Sequence, residues 1–259
     1  MTEELKIALI QTTLEWENPE GNRKHFQKKI ESIQEPVDLI ILPEMFTTGF
    51  TMNAAPFAER MNGETIAWMK KMAQLKNAAI TGSIIIEENH NFYNRLFFIT
   101  SEGKMQTYDK RHLFTLANEQ ETFTAGSEKL IIEYKGWRLC PMICYDLRFP
   151  VWARNVEEYD AVFFVANWPQ ARIKAWDVLL QARAIENMAY CIGVNRIGTD
   201  GKGFEYVGHS AVYDGLGKCV LNDDLENDTN FLVTLSKNHL LEIRRRLRFL
   251  EDKDFFKLL

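Results

Sequence analysis

The chain has 259 residues, of which 46% are hydrophobic, 12% aromatic and 26% charged. Such values belong to a globular protein and exclude collagen-like, low-complexity and long disordered chains, while a net charge of −5 disfavours a broad nucleic-acid or acidic-membrane footprint. No run reaches the roughly 18 apolar residues of a membrane span. The start, MTEELKIALIQTTLEW, has acids where a secretory leader would be basic, so a cytoplasmic protein without a leader is expected.

In chain order, strand-like apolar runs alternate with helical patterns. Residues 5–11 (LKIALIQ) read as a strand, and 19–34 as a helix with Phe26, Ile30 and Ile33 on one stripe, capped by Asn18 ahead of Pro19. VDLIIL (37–42) is apolar on both faces, as in a buried strand, and ends at Pro43-Glu44. A helix over 63–77 carries Ile66, Met69, Met72 and Ala73 on one stripe; strands follow at 78–86, 91–100 and 104–109, the last two joined at Glu102-Gly103. Residues 129–144 read as a hairpin turning at Lys135-Gly136, with Pro141 awkwardly inside its second strand. A helix starts near Pro150, a buried strand spans 161–167, and a long helix spans 173–189. Strands at 190–197, 206–214 and 230–236 and a basic helix at 237–248 complete the pattern. Ten or more strands are many for one open sheet; two sheets packed face to face with helices outside, a layered α/β sandwich, would hold them.

The four cysteines, Cys140, Cys144, Cys191 and Cys219, contain no C-x-x-C pair, and the five histidines show no H-E-x-x-H. Neither a disulfide framework nor a metal site has spacing support. No P-loop or G-x-G-x-x-G appears, and GTDGKG (198–203) has the wrong spacing, so no cofactor is expected. Three polar residues stand where buried strands stop: Glu44, Lys110 and Cys144. Together they supply what a thiol-dependent amide hydrolase needs without histidine. A carboxylate takes the thiol proton, a thiolate attacks the carbonyl, and an ammonium stabilises the resulting oxyanion.

PEMF (43–46), YDKRHLF (108–114) and CYDLRFP (144–150) resemble the three motifs of the nitrilase, or carbon–nitrogen hydrolase, superfamily, in the family's order and separated by 66 and 34 residues. The resemblance runs from about residue 5 to 240. It implies a single domain, with a core over about 5–240 and a helical tail over about 237–259, folded as a four-layer α-β-β-α sandwich with mixed sheets. It also implies a homodimer or higher homo-oligomer. By motif it implies Glu44 as general base and acid, Lys110 as oxyanion and positioning cation, Cys144 as nucleophile and the Tyr145 backbone N–H as an oxyanion donor. A second family glutamate precedes an AG turn. ANEQETFTAG offers Glu119, preferred by position, and Glu121.

CYDLRFPVWARN, VANWP (165–169) and ARAIENMAY (182–190) resemble the omega-amidase branch, which hydrolyses the side-chain amide of short 2-oxo dicarboxylic monoamides such as 2-oxoglutaramate and 2-oxosuccinamate to the dicarboxylate and ammonia. An anionic small-molecule substrate needs a cation near the pocket. Arg148, Arg172 and Arg196 are candidates, and Phe46 and Trp168 are candidate walls. The alternatives are another amide or nitrile substrate within the superfamily, a Cys–His hydrolase using His112 or His209, or a non-catalytic module binding an acidic partner through the Arg244, Arg245, Arg246 and Arg248 cluster.

Overall fold

The computed structural model describes residues 3–221, 225–254 and 256. Its first half runs β1 (Glu4–Gln11), α1 (Pro19–Glu31), β2 (Leu39–Ile41), α2 (Glu64–Lys76), β3 (Ala79–Glu88), β4 (Asn91–Ile99) and β5 (Met105–Asp109). The one-turn helix α3 (Glu119–Thr122) leads to β6 (Ile132–Tyr134), β7 (Trp137–Ile143), α4 (Pro150–Ala153), β8 (Ala161–Val165), α5 (Ile173–Asn187) and β9 (Tyr190–Val194). The small hairpin β10 (Ile197–Thr199) and β11 (Glu205–Val207), then β12 (Ala211–Tyr213), β13 (Thr229–Ser236) and α6 (Lys237–Leu247), follow.

Two mixed sheets result, ordered β13-β1-β2-β3-β4-β5 and β12-β9-β8-β7-β6. Each has a parallel trio at its centre, β1-β2-β3 and β7-β8-β9, flanked by antiparallel strands. Parallel neighbours require crossovers, which α1, α2, α4 and α5 supply. Strand alternation builds the layers. Leu5, Ile7 and Leu9 of β1 join Leu139 and Phe163 of the second sheet in one core, while Ala8 and Ile10 turn to Phe26 and Ile30 of α1 and Met69 and Met72 of α2. Phe98 and Tyr134 meet edge to face across the two sheets at 5.3 Å. On the far side α5 presses Trp176 and Leu180 onto Gly193, where a Cβ would lie 2.4 Å from Leu180 and 2.6 Å from Trp176. This is the expected α-β-β-α sandwich.

Local chemistry explains the element ends. The Asn18 side chain accepts from the Gly21 N–H at the start of α1, with Pro19 in its first turn. Lys135 and Gly136, at φ 48° and 82°, make the tight hairpin turn between β6 and β7. Pro141 sits within β7 without a bulge. Alternation directs Arg138 N–H toward the β8 side, where it reaches Asp160, and Ile143 N–H the other way, to Asp146. The missing donor of Pro141 therefore faces the β6 side, beyond Ile132, where β6 has already ended.

Three sequence expectations are corrected. The strand over 190–197 stops at Val194, and the one over 206–214 divides in two, because Gly208 (φ 78°) and His209 (φ 59°) turn the chain. Asn195 bonds this break from its side chain, donating to the carbonyls of Trp168 and Gly208. The helix expected to start near Pro150 does so and lasts a single turn, ending where Arg154 becomes extended. The C-terminal helix ends at Leu247 because Arg248 adopts a left-handed conformation, and a 3-10 turn covers Phe249–Asp252; residues 255 and 257–259 of the expected helical tail lie outside the described residues. The basic cluster is divided as well. Arg244 donates to the carbonyls of Tyr159 and Met188, and Arg248 pairs with Glu251. Among the described residues no helix is long and apolar enough to cross a membrane.

Candidate active site

The C-terminal ends of the parallel strands open onto one cavity, the usual location of sites in such sheets. Glu44 follows β2. Its segment is pinned to β3: Met45 N–H donates to Ser83 Oγ at 2.9 Å, and Phe46 N–H donates to the Ser83 carbonyl. This clamp turns the Glu44 carboxylate inward and sends Phe46 the other way. Phe46 is not the cavity wall that the sequence suggested. It is buried among the helix-side residues, 5.4 Å from Phe26 and 5.8 Å from Trp68, and only the bare Gly82 leaves room for it, since a Cβ there would sit 3.0 Å from its ring.

Lys110 follows β5. Its backbone N–H donates to Asn94, and its carbonyl accepts from Gly126. Gly126 permits this approach because a Cβ there would lie 2.3 Å from the Asp109 carbonyl. The ammonium is buried and donates to Glu44 Oε1 at 2.9 Å and to both oxygens of Glu119 at 2.9 and 3.0 Å. Burial opposes charging of Lys110, yet the Glu119 and Glu44 carboxylates outweigh it and hold the pKa above the usual lysine range. Burial raises Glu119, against the pull of Lys110. Glu121, the competing glutamate, is exposed.

Cys144 opens the 3-10 turn Cys144–Arg148 after β7, in a left-handed conformation at φ 44° that a non-glycine residue adopts only under strain. Its sulfur lies 4.0 Å from the Asn167 carbonyl. Burial first, then the neighbouring Glu44 carboxylate, push its thiol well above the ordinary range, with Lys110 opposing. Asp146 braces this elbow. It accepts from Ile143 N–H (3.0 Å) and Tyr108 OH (2.8 Å) on one oxygen, and from the His112 backbone N–H (2.9 Å) and Nδ1 (2.8 Å) on the other. His112 also stacks on Phe149 with ring centroids 3.6 Å apart, and His209 faces Asp177. Neither histidine lines the cavity at Cys144.

The cavity holds about 390 Å³. Lys110, Cys144, Tyr145 and Asn167 lie in it, with Phe50, Phe114 and Trp168 as aromatic walls and Arg148, Arg172 and Lys202 as cations. Arg148 lies 5.0 Å over Trp168 and Arg172 5.1 Å over Phe114; among the described residues neither has a carboxylate within ion-pair reach. Asp200, the acid of the lining, is already engaged by Lys202 N–H, Phe204 N–H and Tyr206 OH. Arg196 is not in the lining. It is buried behind Tyr206, 4.6 Å from the ring, donating to backbone carbonyls. Among the described residues no cluster of potential metal ligands occurs.

Sequence reasoning missed two asparagines. Asn94 donates to Glu44 Oε1 at 2.9 Å and lies 3.5 Å from Glu119 Oε1. Asn167 gives its backbone N–H to Glu44 Oε2 at 2.9 Å and its side-chain amide to the Glu44 carbonyl at 2.6 Å. Asn167 falls inside VANWP and Asn94 inside NFYNRL, but nothing in a single sequence distinguishes a buried asparagine from a turn residue.

The carbon–nitrogen hydrolase family profile matches residues 6–251. The chain is 43% identical to omega-amidase YafV of Yersinia enterocolitica, over 98% of this chain and 99% of that protein. It is 31% identical to the 2-oxoglutaramate amidase of Bacillus subtilis, over 96% and 98%. Among solved structures, the carbon–nitrogen hydrolase superfamily protein XC1258 of Xanthomonas campestris, which carries an arsenic adduct in its active site, superposes with a TM-score of 0.97 at 44% identity over the whole of both chains. The chain belongs to the carbon–nitrogen hydrolase family.

Proposed function

We propose that this chain hydrolyses the side-chain amide of short 2-oxo dicarboxylic monoamides, 2-oxoglutaramate foremost, through a thioester on Cys144. The observation that carries this reading is the convergence of Glu44, Lys110 and Glu119 beside Cys144 at the base of a cavity lined by Arg148 and Arg172, which have no carboxylate within ion-pair reach among the described residues. The names of the similar YafV and Bacillus subtilis proteins support the substrate class.

The thiol stays protonated at rest because burial and the Glu44 carboxylate disfavour its anion. As the sulfur attacks the amide carbonyl, its proton passes to Glu44. The carbonyl oxygen becomes an oxyanion held by Lys110 and by the Tyr145 N–H, which lies among the early N–H groups of the 3-10 turn that have no partner within it. The tetrahedral intermediate collapses by breaking the C–N bond, and the nitrogen leaves as ammonia with the proton from Glu44. Glu44 then takes a proton from water, whose oxygen attacks the thioester, and the carboxylic acid product departs as the thiol is restored. Glu119 holds Lys110 charged and in place. The proposed setting is the cytoplasm, whose reducing conditions preserve a free thiol, with no cofactor.

Arg148 and Arg172 would pair with the carboxylate and 2-oxo group, and Trp168 would flank the carbon chain. Replacing either arginine by alanine is expected to raise KM for 2-oxoglutaramate roughly 10- to 100-fold, the value of one charged hydrogen bond, and to leave a neutral short amide nearly unaffected. Steady-state kinetics on both substrates checks this. In a wider panel 2-oxoglutaramate should exceed glutamine, whose ammonium would face these cations. Turnover of a simple nitrile with 2-oxoglutaramate untouched would overturn the assignment.

The chain is proposed to act as one catalytic domain and as a homodimer or higher homo-oligomer. Val178 and Ile185, seven residues apart on α5, expose apolar side chains, as does Leu216, beside Ile185 through the Gly217 turn. Sedimentation at micromolar concentration should show an assembly that Ile185→Glu weakens. A monomer in both cases would contradict it.

A further inference from the structure

The Glu44 carboxylate is not symmetric. Oε1 accepts from the Lys110 ammonium and from the Asn94 amide, both at 2.9 Å. Oε2 accepts from the Asn167 backbone N–H at 2.9 Å. With two donors fixed on Oε1, the open acceptor position of the carboxylate belongs to Oε2, and the Cys144 thiol lies within reach of this carboxylate. Asn94 is only 1% exposed, and its own Oδ1 has no hydrogen-bond partner among the described residues. An unsatisfied buried acceptor destabilises a fold, and an aliphatic residue of similar size would avoid it. The opposite amide orientation would set Oδ1 against two carboxylates. The arrangement sacrifices Oδ1 so that Nδ2 can face Glu44 and Glu119.

We propose that Asn94 is a positioning residue for the reaction: it locks Glu44 Oε1 alongside Lys110, so that Oε2 is the atom that takes the proton from Cys144 and later returns it to ammonia. The inference rests on the reading of Glu44 as the base. It adds which oxygen acts and what orients it. Lys110 alone cannot fix the rotation, since its ammonium also serves Glu119. Asn94 also anchors Lys110, but through its backbone carbonyl, which any substitution retains.

The experiment compares wild type, Asn94→Leu, Asn94→Gln and Glu44→Gln by thermal melting and by steady-state kinetics on 2-oxoglutaramate. Asn94→Leu should keep a cooperative melting transition and KM and lose roughly 100-fold in kcat, as expected for a misplaced reacting group. Asn94→Gln, which keeps the donor, should recover part of kcat; if the leucine variant does not fold, the glutamine variant's KM and kcat decide. Full kcat in the folded Asn94 variants, with Glu44→Gln inactive, would overturn the role of Asn94 alone. Full activity in Glu44→Gln would overturn the reading of Glu44 itself.

Discussion

Cys144→Ala is expected to lower ammonia release by roughly a millionfold, as loss of the nucleophile does in other covalent hydrolases, while the melting temperature stays close to wild type. No other thiol can substitute. Cys140 and Cys191 lie in β7 and β9 with no exposed surface, and burial pushes both thiols far above the ordinary range. Cys219 lies near the end of β12 and outside the cavity lining. Alanine keeps the Cβ and therefore the left-handed strain at this position, so the stability change should stay within about 1 kcal/mol. Calorimetry and an ammonia assay on the same preparation separate the two effects.

Lys110→Met is expected to fail in both respects. The ammonium offsets two buried carboxylates, Glu44 and Glu119, and removing one partner of a buried ion pair costs about 3–5 kcal/mol. Turnover should collapse as well, because the oxyanion loses its cation. The stability loss has a definite pH dependence. The Glu119 pKa is already raised by burial against the pull of Lys110, and without Lys110 it rises further. A carboxyl whose folded pKa is raised stabilises below its unfolded value and loses that contribution as pH rises toward the folded value. The deficit of Lys110→Met should therefore be smallest in mild acid and grow toward neutral and alkaline pH, which denaturant melts across that range would record. In the wild type the raised Lys110 pKa has the same sign but acts at higher pH: its contribution is complete below the unfolded lysine value and is lost as pH rises through the alkaline range.

The sequence carried the layers and the ends of buried strands well, because both depend on local periodicity. VDLIIL and AVFFVAN read as buried strands since apolar residues occupy both faces; Glu44 after the first accepts from Lys110 at the cavity, and Trp168 after the second lines it. Glu44, Lys110, Glu119 and Cys144 were legible as a group only through their motifs; the structure brings them within contact. Phe46 failed because adjacency to Glu44 in sequence says nothing about direction: the Ser83 clamp and the bare Gly82 decide it. Arg196 failed for a related reason, since its strand ends by turning behind Tyr206. Asn94 and Asn167 were invisible because their roles are set by partners 50 and 123 residues away in sequence. The break at Gly208 is stabilised by Asn195, again a long-range bond that periodicity cannot report.

The most direct test of the account is whether Cys144 carries the acyl group during turnover. Wild-type enzyme mixed with 2-oxoglutaramate, quenched in acid within a turnover and examined by intact and peptide mass spectrometry should show the mass of substrate less ammonia on the peptide containing Cys144, and Cys144→Ala should show neither adduct nor ammonia. Ammonia release at the wild-type rate by Cys144→Ala, or an acyl group found on a different residue, would contradict it.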